Sequence, residues 1–277
     1  MDCIICRESK NELFSNSSYF NIPVYKCTKC GILITGKSEY EIKEKASKLY
    51  GDNYWNDEFK IIDSYALTDA NSSSRKRDLI SQYAYIKQYL ENKKSFFEIG
   101  TGYGVALHWF LEKGFEVSGL EPNPKCVELI NKKFGQHTVI CDYAENLIVD
   151  KKFDIIWMND VIEHLVRPDI VLRKCYNMLN NDGILFIETG NCDNPKILNS
   201  SIYENPDICH FTKKSLSELA KSCGFNIERA DYFRPAKKSE GFLNLVSRQC
   251  HFLKYPYYPR IQTKAEEGFR IRMILRK

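Results

Sequence analysis

Phe96-Phe97-Glu98-Ile99-Gly100-Thr101-Gly102-Tyr103-Gly104 reads as a short buried strand running into a glycine turn. Phe96, Phe97 and Ile99 favour the strand, and Val105, Ala106, Trp109 and Phe110 begin a helical spacing after it. Strand, turn and helix N-terminus together make a ligand seat. Glycine lets a ligand approach the backbone, and the first N–H groups of the helix attract negative charge. Val105 stands where the third glycine of G-x-G-x-x-G would be, so the pattern is Glu98-x-Gly100-x-Gly102-x-Gly104.

On both sides of this turn, strands alternate with helices. The pattern predicts a helix over 76–92, a strand at 115–120 ending in Glu121, and a helix opened by Pro122 and Pro124. Further strands are expected at 137–140, 153–158, 184–188, 225–232 and 268–275. Thr212 is an N-cap candidate for a helix carrying Leu216 and Leu219, stopped by Gly224. Residues 189–209 read as a loop and 233–265 as irregular. The expectation is an α/β fold, a doubly wound, mostly parallel sheet of seven strands, with a small zinc ribbon ahead of it. In such a sheet ligands bind at the C-terminal strand ends, and the polar motifs of this sequence fall there.

Residues 1–35 hold Cys3-x-x-Cys6 and Cys27-x-x-Cys30, separated by twenty residues. Four thiolates at this spacing can close a tetrahedron on Zn²⁺, leaving no open position, so the site is expected to be structural. Gly31 suits the second knuckle; Arg7 comes after the first pair where glycine would be expected. Residues 36–75 form a connector in which Tyr50, Tyr54 and Trp55 could pack or serve as a lid. The main domain is expected over 76–277.

Composition sets limits. A net charge of +4 and a pI near 8.4 fall short of a nucleic-acid binder's concentrated basic face. No apolar run is long enough to span a membrane, and the N-terminus lacks a secretory signal pattern. With 11 cysteines and no such signal, reduced thiols and a cytoplasmic location are expected.

Glu121 at the end of the second strand can accept from both hydroxyls of a ribose. Glu98, ahead of the glycines, would repel a pyrophosphate but balance an ammonium or a sulfonium. These residues, with Asp142-Tyr143-Ala144-Glu145 and 159–165, resemble the successive motifs of class I S-adenosylmethionine (SAM)-dependent methyltransferases. The resemblance covers roughly 76–232 and extends to 210–225, an acceptor-side loop and helix in that family. It implies a Rossmann-like methyltransferase fold with SAM as cofactor. By position, Glu98, Gly100, Thr101, Gly102 and Gly104 would meet the methionine part. Glu121 and Pro122 would meet the ribose, and Asp142, Tyr143 and Ala144 the adenine. Asn159 and Asp160 would flank the sulfonium.

A ribbon ahead of such a domain resembles C-methyltransferases of nucleotide-linked deoxysugars. Those carry a further large C-terminal domain, whereas the stretch after the sixth strand here is residues 233–277. The expected acceptor is therefore a sugar, nucleotide-linked, lipid-linked or polysaccharide, methylated on oxygen. RNA, protein or a deoxysugar carbon are the alternatives. An oxygen acceptor needs a base, and His210 on the acceptor loop and His164 past the fourth strand are the candidates.

Overall fold

The computed structural model describes residues 2–51, 74–135, 138–148, 150–236 and 260–277. At the N-terminus, β1 (Asn11–Ser15), β2 (Val24–Cys27) and β3 (Leu33–Thr35) pair antiparallel in that order. α1 (Glu39–Gly51) and α2 (Ser74–Ile86) lead into β4 (Ser95–Ile99), the predicted strand before the glycines. Next come α3 (Val105–Glu112), β5 (Glu116–Glu121), α4 (Pro124–Phe134), β6 (Val139–Cys141) and β7 (Phe153–Asn159). α5 (Pro168–Met178) runs directly into β8 (Leu179–Gly190). The chain continues through α6 (Pro195–Tyr203), β9 (Cys209–His210), α7 (Lys213–Ser222), β10 (Asn226–Pro235), β11 (Arg260–Thr263) and β12 (Arg270–Arg276).

The helix starts obey local chemistry. Asn123 caps α4, accepting from the N–H of Lys125 and Cys126, and Pro124 occupies the first turn. Thr212 and Ser215 close a reciprocal capping box on α7, as the sequence predicted for Thr212.

The main sheet has the order β11-β10-β12-β8-β7-β4-β5-β6. β8, β7, β4, β5 and β6 are parallel; β12, β10 and β11 join antiparallel. There are eight strands, one more than the seven expected. The extra one is β11, inside the stretch read as irregular. Its four residues carry no apolar run, and its order comes from pairing with an extended end of β10, Tyr232↔Thr263 through Pro235↔Arg260. The stretch read as a loop before Cys209 holds α6, announced by Asn194-Pro195, a cap and a first-turn proline.

Two apolar cores flank the sheet. In one, Phe96 stacks on Phe110 at 4.0 Å and Trp157 on Phe186 at 3.9 Å. The other runs without a break from Phe97, Phe153 and Ile156 to Ile4, inside the first cysteine pair, and Ile32, just after the second. β3 also pairs with β9, Leu33↔His210 and Ile34↔Cys209, so the N-terminal sheet is completed by a strand from the main domain. Tyr54, Trp55, His137, His251 and 255–259 lie outside the described residues. Among those described, no helix is long and apolar enough to cross a membrane.

Phe96 has no exposed surface and packs against both Phe110 and Trp157. Phe96→Ala is expected to cost about 3–5 kcal/mol, read as a lowered denaturant midpoint with unchanged slope.

Candidate functional site

The strand order reverses between β4 and β7, and a cavity of about 680 Å³ opens at their C-terminal ends. The glycine turn forms one wall. Gly100 and Thr101 both donate to Leu120 O, at 2.8 and 3.2 Å, which fastens the turn to β5. Gly100 has φ +73°, and a Cβ there would stand 2.5 Å from Val161 Cγ2, so a side chain has neither the backbone nor the space. Gly102 has φ +50° with nothing within 4 Å of a would-be Cβ, which leaves its backbone open towards the cavity. Gly104 is the N-cap residue of α3; a Cβ there would stand 3.2 Å from Ile130 Cγ1, and the residue does not line the cavity. Tyr103, Val105 and Ala106 on either side of it do line the cavity.

Two acids sit below the turn. Glu98 is buried, and burial first, with Glu121 nearby, pushes its carboxyl well above the ordinary range. Its Oε2 and the hydroxyl of Thr101 are buried without a hydrogen-bond partner among the described residues. Both residues line the cavity. A buried acceptor left unsatisfied is costly, and a ligand ammonium would satisfy both. Glu121 accepts from Gly102 N at 2.8 Å and from Asn123 N at 3.0 Å. Burial raises its carboxyl, and those two N–H groups oppose the rise. Each oxygen keeps a second lone pair, which is the capacity two ribose hydroxyls require. These features fit SAM.

Pro122, Tyr143 and Ala144 line the same cavity. Asp142 does not. Its Oδ1 accepts from Tyr143 N at 2.7 Å and Asn146 Nδ2 at 2.9 Å, so it shapes the loop beside the cavity. Adenine contacts would fall to the neighbouring residues.

The opposite wall carries paired charges. Asn159 accepts from Gln82 Nε2 at 2.7 Å. Asp160, at φ +54°, is ion-paired with Arg270, and Arg260 grips Asp78 through two hydrogen bonds of 3.0 and 2.8 Å. Behind them Glu188 is paired with Arg272, and both are fully buried. Burial alone would raise the Glu188 carboxyl; Arg272 and Arg270 together hold it below the ordinary range. Lys43 of α1 also reaches the cavity. Lys43, Asp78, Gln82 and Arg270 were not singled out from the sequence, because each is far from the motifs along the chain and nothing in its neighbours marks it. Arg260 falls in the stretch 233–265 that reads as irregular from the sequence.

His164 and His210 part company. His164 ends a one-turn segment, Ile162–His164, and lines the cavity. Its Nδ1 lies 3.1 Å from Pro206 O. A carbonyl can only accept, so Nδ1 carries a proton in this contact. His210 lies in β9, 1% exposed, bonded to Thr35 and Ser201, and outside the cavity wall. Burial presses its imidazole down to about 3, so it stays neutral. That position does not serve contact with an acceptor, contrary to the sequence expectation. The pairing of β9 with β3, which no local pattern announces, turned it inward.

The four N-terminal cysteines converge. Cys3 Sγ lies 3.4 Å from Cys30 Sγ, Cys6 Sγ 3.5 Å from Cys27 Sγ, and all four sulfurs fall within 4.8 Å of one another. A tetrahedron of Zn–S bonds near 2.3 Å needs sulfurs about 3.8 Å apart, so the set has the right size for a metal. The two knuckles match. Arg7 N donates to Cys3 O and Gly31 N to Cys27 O, and both residues have positive φ, +59° and +75°. Arg7 therefore fills the left-handed position expected of glycine, and its guanidinium reaches Asp169 at 2.8 Å.

A glycine turn, a buried acid beneath it and a second acid on the next strand, all at the switch point of a doubly wound sheet, define the Rossmann-like SAM-methyltransferase class. The model of a family described as "Methyltransferase domain" matches residues 72–230, more than half the chain, and the chain belongs to that family. Curated relatives include the ubiquinone biosynthesis O-methyltransferase of Actinobacillus pleuropneumoniae serotype 5b, 26% identical over 108 residues, 35% of this chain and 46% of that protein. The protein of the same name from Mesorhizobium japonicum is 31% identical over 99 residues, 34% of this chain and 40% of that one. The matches span about half or less of these relatives' lengths. Among solved structures, a SAM-dependent methyltransferase from Archaeoglobus fulgidus aligns with TM-score 0.55 and 17% identity, covering 77% of this chain and 100% of that chain. The plantazolicin methyltransferase BpumL in complex with SAH aligns at 0.56 and 17%, covering 86% and 98%. These likenesses establish the fold.

Glu163, buried beside His164, is pushed up to about 7 by desolvation, against the opposing pull of His164. The native state therefore holds a proton that the unfolded chain has released, and stability falls as pH rises from about 4.5 to about 7. Glu163→Gln should leave the urea midpoint at pH 5 nearly unchanged and raise it at pH 8. A variant less stable than the parent at pH 8 would contradict this.

Proposed function

We propose that this protein transfers a methyl group from SAM to a hydroxyl of a sugar, in nucleotide-linked, lipid-linked or polymeric form. The observation that carries the cofactor half is the pair of unsatisfied buried acceptors, Glu98 Oε2 and Thr101 Oγ1, under an open glycine turn. When bound, the cofactor supplies a methyl already activated on a sulfonium, so positioning can provide much of the catalysis. Glu98 and Thr101 would accept from the ammonium, and the backbone of Gly102 lies open beside them. Glu121 would take the ribose hydroxyls. Pro122, Tyr143 and Ala144 would border the adenine, and Asn159 and Asp160 the sulfonium end.

The acceptor half rests on the opposite wall. Lys43, the Asp78–Arg260 and Asp160–Arg270 pairs, and Gln82 present donors and acceptors rather than apolar surface. Such a wall suits a polyhydroxylated or ionic acceptor. His164, with its lone pair on Nε2, is the base that would take the hydroxyl proton. A second reading, methylation of a phenolic oxygen, is favoured by the names of the curated relatives. Radiolabelled SAM offered with sugar-nucleotide pools and, separately, with quinone precursors distinguishes the two by which product carries the label.

The metal is proposed to be a structural Zn²⁺ held by Cys3, Cys6, Cys27 and Cys30. Because Ile4 and Ile32 belong to the same apolar core as β4 and β7, its loss should be felt beyond the ribbon. Chelation of the full chain should release one equivalent of zinc by elemental analysis and lower the unfolding temperature. Absence of zinc from freshly purified protein would overturn this assignment.

Titration calorimetry should find SAM binding to the zinc-loaded protein, and Glu121→Ala should weaken it by roughly tenfold or more, as for a lost hydrogen bond to a charged group. No heat of binding from the intact protein would end the methyl-transfer reading.

A further inference from the structure

His164 is fixed from outside its own turn. Besides Pro206 O, its Nδ1 faces Asp207 Oδ1 at 3.5 Å. Asp207 is in turn the end of a chain of buried side chains. Ser201 Oγ donates to Asp207 Oδ2 at 2.7 Å. A hydroxyl has one proton, so the 2.7 Å contact between Ser201 Oγ and His210 Nδ1 must be donated by the imidazole. A neutral imidazole protonated at Nδ1 has its lone pair on Nε2; Thr35 Oγ1 lies 3.0 Å from that atom and 3.3 Å from Asp207 O, and its one proton is shared between the two acceptors. Two directions are then set, His210 to Ser201 and Ser201 to Asp207, and Thr35 touches both His210 and the backbone of Asp207. Asp207 accepts from this side and faces the His164 N–H on the other.

All four members are buried, Thr35 fully and His210 at 1% exposure. Apolar side chains of similar size would fill the same space between β3 and β9 without the cost of desolvating four polar groups. The backbone takes the same path. Thr35 N donates to Ile208 O and Ile208 N to Glu163 O, both at 2.8 Å. The N-terminal sheet is thus tied to the residue next to His164 by main chain as well as by side chains.

We propose that Asp207 is the positioning residue for His164, and that the chain Thr35–His210–Ser201 behind it makes the cysteine ribbon part of the methyl-transfer apparatus. The inference rests on His164 as the base proposed above. The Asp207 carboxylate, 3.5 Å from Nδ1, adds its charge to the Pro206 carbonyl in favouring the proton on Nδ1, which leaves the lone pair on Nε2. His210 contributes as a relay within the protein and does not touch the acceptor. A ribbon tied in this way acts on the geometry of the base as well as on stability.

The test reads the tautomer directly. Full-length, metal-loaded protein with ¹⁵N-labelled histidine is measured by long-range ¹H–¹⁵N spectra near pH 8, where neutral imidazoles report which nitrogen is protonated. Parent, Asp207→Asn, Ser201→Ala and Thr35→Val are compared. The parent should show His164 protonated at Nδ1. Asp207→Asn should raise the Nε2–H form relative to the parent by roughly fivefold, since a carboxylate charge 3.5 Å from Nδ1 is removed while the Pro206 O contact stays. Ser201→Ala and Thr35→Val, which conserve size, should move the ratio the same way by less. If Asp207→Asn does not fold, these two decide the matter. A ratio within twofold of the parent in every folded variant overturns the proposal. SAM calorimetry on the same samples separates the two ideas: binding should stay within twofold of the parent, and a parent that binds no SAM would sink the methyl-transfer reading while the tautomer result still decides the role of Asp207.

Discussion

β4 is hydrogen-bonded on both edges, to β5 and β7, and buried along its whole length, yet it carries a carboxylate. That combination constrains everything around it. The strand meets the cavity only at its C-terminal end, through Glu98 and Ile99. Function can begin only where it stops, at Ile99. There the chain must reverse within a few residues to start α3, and the reversal passes under Val161 with no room for a side chain at Gly100. The same reversal leaves Glu98 and Thr101 with acceptors that no described residue satisfies. A carboxylate in the central strand is expensive to keep unless a cationic ligand offsets the cost.

Around that constraint the cavity divides by chemistry. The glycine-turn side presents acceptors and exposed backbone. The far side presents charges already paired with one another: Asp78 with Arg260, Asp160 with Arg270, and Glu188 with Arg272 behind them. Paired charges keep donors and acceptors in fixed places without an excess of either sign at the wall. The antiparallel strands β11 and β12 supply the three arginines, so the C-terminal part of the chain completes a wall that the parallel strands begin.

The ribbon is integral to this arrangement. Its last strand pairs with β9, its apolar residues continue the core beneath β4 and β7, and Arg7, at the left-handed position of the first knuckle, binds Asp169 at the start of α5. Arg167 reaches from Asp169 to Glu39 of α1, at 2.8 Å to each, closing a network from the cysteines to the helix that carries Lys43. Four converging thiols thus sit at one end of a continuous structure whose other end is the cavity.

Much of this was legible in the amino-acid order. The glycine turn, both acids, the cysteine quartet and the alternation of strand and helix are local patterns. Each is written in a few neighbouring residues whose conformational preferences dictate strand, turn or cap. Such patterns marked the glycine-turn side of the cavity, which is built from strand ends that succeed one another along the chain. They did not mark the opposite wall. β11 has no apolar run and exists because β10 offers it an edge; Arg260, Arg270, Asp78 and Lys43 meet only through folding. His210 looked like a base because it comes after the fifth strand, and it became a buried relay because β3, some 175 positions earlier, pairs with it. Sequence determined which residues could do chemistry; long-range strand pairing decided which of them face the cavity, because register between distant strands is set by packing of whole faces rather than by any neighbour in the chain.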